Sequence, residues 1–391
     1  MFEVTACAPG FLGSRMKIAY VHYGDYTPKD VLTPLYEYSQ AVSGKCDVAV
    51  YVRAHRDTIP GRERLNIYQV CRQYWCTKIT HIAFIVNLIR LINKENFDII
   101  HVFSFPGCSL LPLFCRRKSR RWIIDIQSGC IFSHVSPAYD KLTALEAGSF
   151  DNIFVLSKAL TDKLFGPDWH SAGKITVVPL GANIKRISRA ARTGNFWKKI
   201  INRDPATVLL YLGTIDATRR IECLLEAFRI LALEHAGKDL QLVILGGRSN
   251  EITRLRSAAA KLGIQGAVTF PGKVPYVDVP DYLANAHLAL AYVPKGPVYD
   301  AQPPLKTLEY LAASLPVVAT NTLGNLEIIQ DGYNGVIVNS DPGAYAAGMS
   351  RLLTDPALRH HVSANALKSV EGYDWGALSE RLVKLYGTLS A

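Results

Sequence analysis

Apolar residues along this chain gather in short blocks separated by longer stretches of mixed character. In the first half the blocks are Lys17–His22, Cys46–Val52, Phe97–Phe103, Trp122–Gln127 and Lys174–Gly181. In the second half they are Thr207–Gly213, Leu240–Leu245, Val268–Val274, Leu288–Pro294 and Val317–Ala319. A strand of a parallel sheet is covered on both faces and reads as a near-continuous apolar run, so each block is a candidate parallel strand. Between the blocks the apolar period lengthens. Ile82, Ile85, Ile89 and Ile92 recur at helical spacing and predict a buried helix over Ile79–Asn93, while Ile221, Leu224, Leu225 and Phe228 form the apolar face of another. The first of these is interrupted by His81, Asn87 and Arg90 and falls short of the ~18 unbroken apolar residues that a membrane span requires.

The length of 391 residues is too great for one ordinary core and suits two domains of similar size, 16–190 and 191–372. Residues 1–15 lack a basic start followed by a long apolar run, which argues against a secretory signal; they are expected to be a poorly ordered extension. The formal net charge of +11 leaves nucleic acid, an anionic membrane or an anionic small substrate as partners. Nucleic acid is disfavoured, because there is no zinc-finger spacing, no aromatic RNA-binding signature and no arginine-rich tail. The eight cysteines are scattered, and the nearest pair, Cys71 and Cys76, has no histidine close by. They read as reduced thiols of a cytoplasmic protein, without a metal site.

One stretch, Asp300–Thr320, organises the rest. Pro303 and Pro304 prevent a helix before Leu305, and Pro304 reads as the first helical position. The helix that follows aims its free amides, including those of Leu305 and Thr307, at whatever lies in front of it, and Lys306 adds a full positive charge. That combination suits a phosphate. Glu309, one turn on, is placed to accept hydrogen bonds from sugar or ribose hydroxyls beside it.

This segment resembles the donor-binding signature of the retaining family-4 glycosyltransferases, and the resemblance runs from about Met16 to the C-terminus. It implies the GT-B fold: two Rossmann-like doubly wound parallel-sheet domains facing across a cleft, with the C-terminal helix 373–391 crossing back to the first. In that family two glutamates eight positions apart hold the transferred sugar and the ribose. Glu309 matches the second, whereas the first position is Ala301 with Asp300 beside it. An arginine after the first strand of the second domain and a lysine five residues later neutralise the diphosphate in the family. Thr214 stands in place of the first, Arg219 matches the second, and Arg220 follows. Lys273 and Val274 lie in the turn whose backbone would hold the nucleotide base. On the acceptor side Gly24 and Asp25 follow the first strand, and Gln127 with Ser128 stands where many relatives place a histidine. A glutamine can orient a hydroxyl but cannot move a proton. Asp125 is expected to point to the opposite face, His101 to be a hydrogen-bonded core residue, and Ser157 to cap a helix.

The resemblance implies a metal-independent hexosyltransferase of polysaccharide or glycolipid biosynthesis. Its co-substrate would be a nucleotide diphosphate sugar, a UDP-sugar foremost, with no other cofactor. The acceptor would be a glycan, a lipid-linked or a small-molecule hydroxyl. Arg219, Lys306 and Glu309 are the candidate catalytic groups. The rivals are a UDP-sugar 2-epimerase of the same fold and a non-catalytic sugar-nucleotide-binding subunit. Two basic stretches, 116–121 and the linker 185–203 with Phe196, Trp197, Ile200 and Ile201, suggest peripheral contact with the anionic inner face of a membrane.

Overall fold

A computed structural model of the chain describes residues 15–26, 33–55, 65–71, 76–115, 120–128 and 138–390. The expectation for residues 1–15 falls outside them except for Arg15. The first sheet holds β1 (Lys17–Tyr26), β2 (Asp47–His55), β3 (Asn66–Gln69), β4 (Ile99–Phe103), β5 (Arg121–Ile126), β6 (Asn152–Val155) and β7 (Ile175–Val177), in the order β3-β2-β1-β4-β5-β6-β7. The second holds β8 (Thr207–Leu212), β9 (Leu240–Leu245), β10 (Val268–Gly272), β11 (Leu288–Ala291), β12 (Val317–Thr320) and β13 (Val336–Val338), in the order β10-β9-β8-β11-β12-β13. Every strand pair is parallel. Strand order reverses between β1 and β4 in one sheet and between β8 and β11 in the other. Such reversals open a crevice at the carboxyl ends of the strands, where open α/β sheets bind ligands.

The apolar blocks foretold the central strands other than the short β6; β4, β9, β11 and β12 are buried along their whole length. The edge strand β3 has a mostly exposed sequence, Asn-Ile-Tyr-Gln, that no apolar run could announce. The long helix of the first domain spans Thr77–Lys94, but Ile82 does not belong to its buried face. Thr80, Phe84, Ile85, Leu88 and Ile92 are buried, whereas Ile82 is 63% exposed. The isoleucine spacing was compatible with a buried face, and packing chose a face rotated away from Ile82.

The last helix, Trp375–Ser390, returns to the first domain. Asp374 bridges to Ala182, the Trp375 amide donates to the Ala182 carbonyl at 3.2 Å, and the indole lies so close to Gly181 that a Cβ there would meet it at 2.5 Å. Further along, the Tyr386 hydroxyl lies 3.1 Å from that of Tyr20 and 2.6 Å from His101 Nδ1. His101 is buried, as expected, with Nε2 2.9 Å from Asp125 Oδ2. Ser157 caps its helix by accepting from the Leu160 amide at 3.1 Å. The same hydroxyl reaches the second domain, donating to the Ala301 carbonyl at 3.0 Å. Two further contacts join the domains: the Ala159 amide donates to Glu327 Oε1 at 2.6 Å, and Lys163 Nζ to the Pro297 carbonyl at 2.7 Å.

Candidate functional site

The helix Leu305–Ala312 stands behind β11 with its N-terminus at the β8/β11 crevice. Pro304 is its N-cap, with extended backbone at ψ 126°, and helical geometry begins at Leu305. The expectation that Pro304 would be the first helical residue is corrected by one position, because Pro303 and Pro304 continue the extended approach. Lys306 is buried, at 8% exposure. Its Nζ donates to the Tyr292 carbonyl at 2.6 Å and lies 4.1 Å from the centre of the Tyr211 ring. Burial first, and the nearby Arg219 second, hold its pKa well below the usual lysine range.

Arg219 ends a short 3-10 turn, Ala217–Arg219, that is capped by the Asp216 carboxylate accepting from the Arg219 amide at 3.0 Å. Its guanidinium lies 3.9 Å from the centre of the Tyr299 ring, and its Nε is buried without a hydrogen-bond partner. Among the described residues no carboxylate is ion-paired with Lys306 or Arg219. Burial and Arg219 both disfavour the charged form of Lys306, and an anion bound beside the two would favour it again. Arg220, exposed, follows in a left-handed conformation at φ 49°.

Glu309 is 2% exposed and sits one turn into the helix. One of its oxygens takes the Tyr276 hydroxyl, whereas Oε1 is buried with no partner, and burial pushes its pKa up to about 7. Thr307 has a structural side chain: its hydroxyl donates to Asn325 Oδ1 at 2.9 Å, and the Asn325 amide donates to the Ala291 and Thr320 carbonyls at 3.2 and 2.9 Å. Leu305 is half-buried and packs on the core. The Thr307 amide, expected to be free for a ligand, instead donates to the Pro304 carbonyl at 3.0 Å, closing the first turn of the helix. Asp300 accepts from the Leu323 amide at 3.2 Å through its carboxylate and from the Gly324 amide at 2.7 Å through its carbonyl. Ala301 is buried, and its carbonyl accepts from the Ser157 hydroxyl.

Beside this cluster a cleft of about 540 Å³ opens at the ends of β8, β9 and β10, and Thr214, Lys273 and Val274 all line it. Its floor requires glycine. Gly213 and Gly246 adopt φ 144° and 117°, and a Cβ on Gly246 would meet the Gly213 carbonyl at 2.0 Å. Lys306 adjoins this cleft, since a Cβ on Gly213 in its lining would lie 3.8 Å from Lys306 Nζ, whereas exposed Arg220 and Asp300, bonded to Leu323 and Gly324, are not part of that lining. The tyrosines that hold Lys306, Glu309 and Arg219, respectively Tyr211, Tyr276 and Tyr299, escaped sequence reasoning because no motif spacing ties them to the cations.

On the acceptor side, Gln127 and Asp125 share a face. Gln127 Nε2 donates to Asp125 Oδ1 at 2.5 Å, so the expectation that Asp125 turns away is overturned. Residues two apart in an extended strand point the same way. Gln127 Oε1 is left buried and unpartnered. Ser128 is half-buried beside it. Gly24 lies at the end of β1, where a Cβ would strike the His22 ring at 2.2 Å. Asp25 closes β1, but its side chain lies outside the described part.

In the linker Ile200 is exposed beside exposed Lys198 and Lys199, whereas the two aromatic residues pack inward. Trp197 is buried and donates its indole N–H to the Asn285 carbonyl at 2.7 Å, and Phe196 packs edge-on against Tyr282. In the other basic stretch Arg120 is buried and bonded to the Glu95 carbonyl, Arg121 donates to the Leu389 carbonyl at 2.9 Å, and residues 116–119 lie outside the described part. Both stretches are partly consumed by packing.

Comparison with known proteins agrees with this geometry. Residues 194–369 match the model of the glycosyl transferases group 1. A D-inositol 3-phosphate glycosyltransferase of Thermobispora bispora is 29% identical over 54% of this chain and 50% of its own length. An uncharacterized glycosyltransferase of Methanocaldococcus jannaschii is 24% identical over 76% of this chain and 77% of its own. This chain spans about half the length of the inositol phosphate relatives it matches. Among solved structures, Anabaena HepE in complex with UDP and glucose superposes with a TM-score of 0.78 at 14% identity, over 95% of this chain and all of the other. Sucrose-phosphate synthase of Thermosynechococcus elongatus gives 0.75 at 19% identity, over 96% and 99%. The architecture is the GT-B fold. Over residues 194–369 the chain is similar to the glycosyl transferases group 1.

Proposed function

We propose that this chain is a retaining, metal-independent glycosyltransferase that moves a sugar from a UDP-sugar to a hydroxyl of a glycan, lipid-linked or small-molecule acceptor. The observation that carries the reading is the pair Lys306 and Arg219: a buried amine and a half-buried guanidinium with an unpartnered Nε, neither ion-paired with a carboxylate among the described residues, beside the half-satisfied carboxylate of Glu309. A diphosphate supplies the missing anion, and ribose hydroxyls supply donors to Glu309 Oε1. Stabilising the departing diphosphate is then the largest contribution of the protein. The bond between the anomeric carbon and the diphosphate oxygen breaks, and the acceptor oxygen bonds to the same face of that carbon. Gln127 cannot take the acceptor proton, so the leaving diphosphate receives it.

The reading is supported for UDP by HepE, crystallised with UDP and glucose. Thermal stabilisation by a panel of UDP- and GDP-sugars, followed by product analysis, tests it. A glycoside formed only with acceptor and unaffected by EDTA is the expected outcome. An epimer formed without acceptor, or binding without turnover, would favour the rival readings. Loss of activity that only Mg2+ restores would overturn metal independence.

For a lipid-linked acceptor the reading includes peripheral contact with an anionic membrane from the cytoplasmic side. The helix Thr77–Lys94 suits it better than the linker: it contains no acid, exposes Ile79, Ile82 and Val86, and carries exposed Lys78, Arg90 and Lys94. Salt-sensitive cosedimentation with phosphatidylglycerol vesicles checks it.

A further inference from the structure

We infer that Tyr299 is a positioning residue for Arg219 and that the loop carrying it couples the phosphate grip to the contact between the domains; this rests on the functional reading above. The Tyr299 ring lies under the Arg219 guanidinium, 3.9 Å from centroid to carbon. Its hydroxyl is 2.6 Å from Thr218 Oγ1, which donates to Asp216 Oδ1 at 2.6 Å. That same Asp216 oxygen accepts from the Arg219 amide. Backbone and side chain of Arg219 are therefore fixed by one closed set of contacts. A ring face attracts a guanidinium without consuming its N–H donors, so Nε stays free for a ligand. A carboxylate at the same place would neutralise the charge and compete with phosphate.

The loop that presents Tyr299 is held from both sides. Its own backbone turns on Gly296, whose carbonyl accepts from the Tyr299 amide at 3.2 Å. From the first domain, Lys163 binds the Pro297 carbonyl and Ser157 the Ala301 carbonyl. Two residues of the first domain thus flank, in sequence, the tyrosine that orients a cation of the second. Lys306 has the parallel arrangement over Tyr211, but Tyr211 lies inside β8 and is independent of the first domain. Of the two cations, only Arg219 is referred to the domain contact.

The test compares Tyr299→Leu and Tyr299→Phe by calorimetry with UDP and GDP, and by transfer kinetics with whichever sugar nucleotide binds. Tyr299→Leu is expected to weaken nucleotide binding about tenfold and to lower kcat more than it raises KM, while Tyr299→Phe stays within about threefold of wild type. In an Arg219→Ala background Tyr299→Leu is expected to add nothing. Equal losses in both backgrounds would reduce Tyr299 to general packing and overturn the inference. The Arg219 Nε–H resonance supplies a ligand-free readout: the ring should displace it upfield in wild type and Tyr299→Phe but not in Tyr299→Leu. An undisplaced wild-type resonance overturns the positioning role itself. A displaced resonance in a protein that binds neither nucleotide would instead defeat the functional reading, and the proposed coupling with it.

Discussion

The two crevices of this protein are built on the same plan and filled in opposite ways. Each lies where strand order reverses, at β1/β4 in the first domain and β8/β11 in the second. The second crevice is charged and incomplete: Lys306 and Arg219 lack a carboxylate, and Glu309 has a bare oxygen. Among the described residues the first presents the uncharged Gln127, Ser128 and Gly24. Beneath them His101 and Asp125 form a hydrogen-bonded chain with Tyr386 and Gln127, whose Oε1 is itself without a partner. Charge is concentrated where a leaving group would depart. The acceptor side is left to position a hydroxyl, so substitutions in the two crevices should separate into effects on nucleotide affinity and effects on turnover alone.

The largest effect is expected at Lys306. Removing a buried cation from its anion costs about 2–5 kcal/mol, so Lys306→Ala should weaken UDP binding at least about thirtyfold in calorimetry. The melting temperature of the ligand-free protein should hold or rise, because a desolvated charge is removed.

Next comes the pH dependence set by Glu309. Its folded pKa of about 7 lies above the ordinary 4.5. The ligand-free folded state therefore binds more protons between those values, and this group's contribution makes stability fall as pH rises from about 4.5 to 7. Ribose hydroxyls prefer the ionised carboxylate, so UDP affinity should drop by up to about tenfold per pH unit below 7 and level off above it. Glu309→Gln should flatten that profile. Glu37, also pushed up to about 7 by burial and by Asp374, titrates in the same range, so Glu37→Gln is the control that must keep the slope.

Asp300 should split the two readouts. If its carboxylate also meets the transferred sugar, Asp300→Ala lowers kcat/KM at least about tenfold with free-UDP affinity nearly unchanged. Ala301→Glu should not raise activity, since Ala301 is buried and a carboxylate there would be crowded beside that of Asp300. A gain in that variant would show that the sugar is reached from position 301 instead.

The smallest effect belongs to the first crevice. Gln127→Ala removes a single uncharged hydrogen bond, worth about 0.5–1.5 kcal/mol, and should lower kcat/KM about twofold to tenfold without touching UDP affinity. A change in UDP affinity as large as that of Lys306→Ala would erase the distinction between the crevices.

The sequence by itself determined the strands, their parallel character and the chemistry at one helix. Short continuous apolar runs bounded by turn residues suit strands covered on both faces, and two prolines before Leu305 confine the helix start to within one residue. Lys306 and Glu309 were legible for the same reason, since residues three apart on a helix share a face wherever the helix lies. Tertiary structure decided everything that depended on what packs against that face. Ile82 was compatible with burial by spacing, and the rest of the domain turned it out. Trp197 looked like a membrane anchor, and Asn285, distant in sequence, took its indole inside. Asp125 is held to Gln127 and His101 by contacts that the strand permits but does not require. Tyr299 meets Arg219 from eighty positions away, and no local periodicity carries information over that distance. The missing counter-charge of Lys306 and the bare oxygen of Glu309 are likewise properties of an enclosed space, and an enclosed space exists only once both sheets and their helices have closed around it.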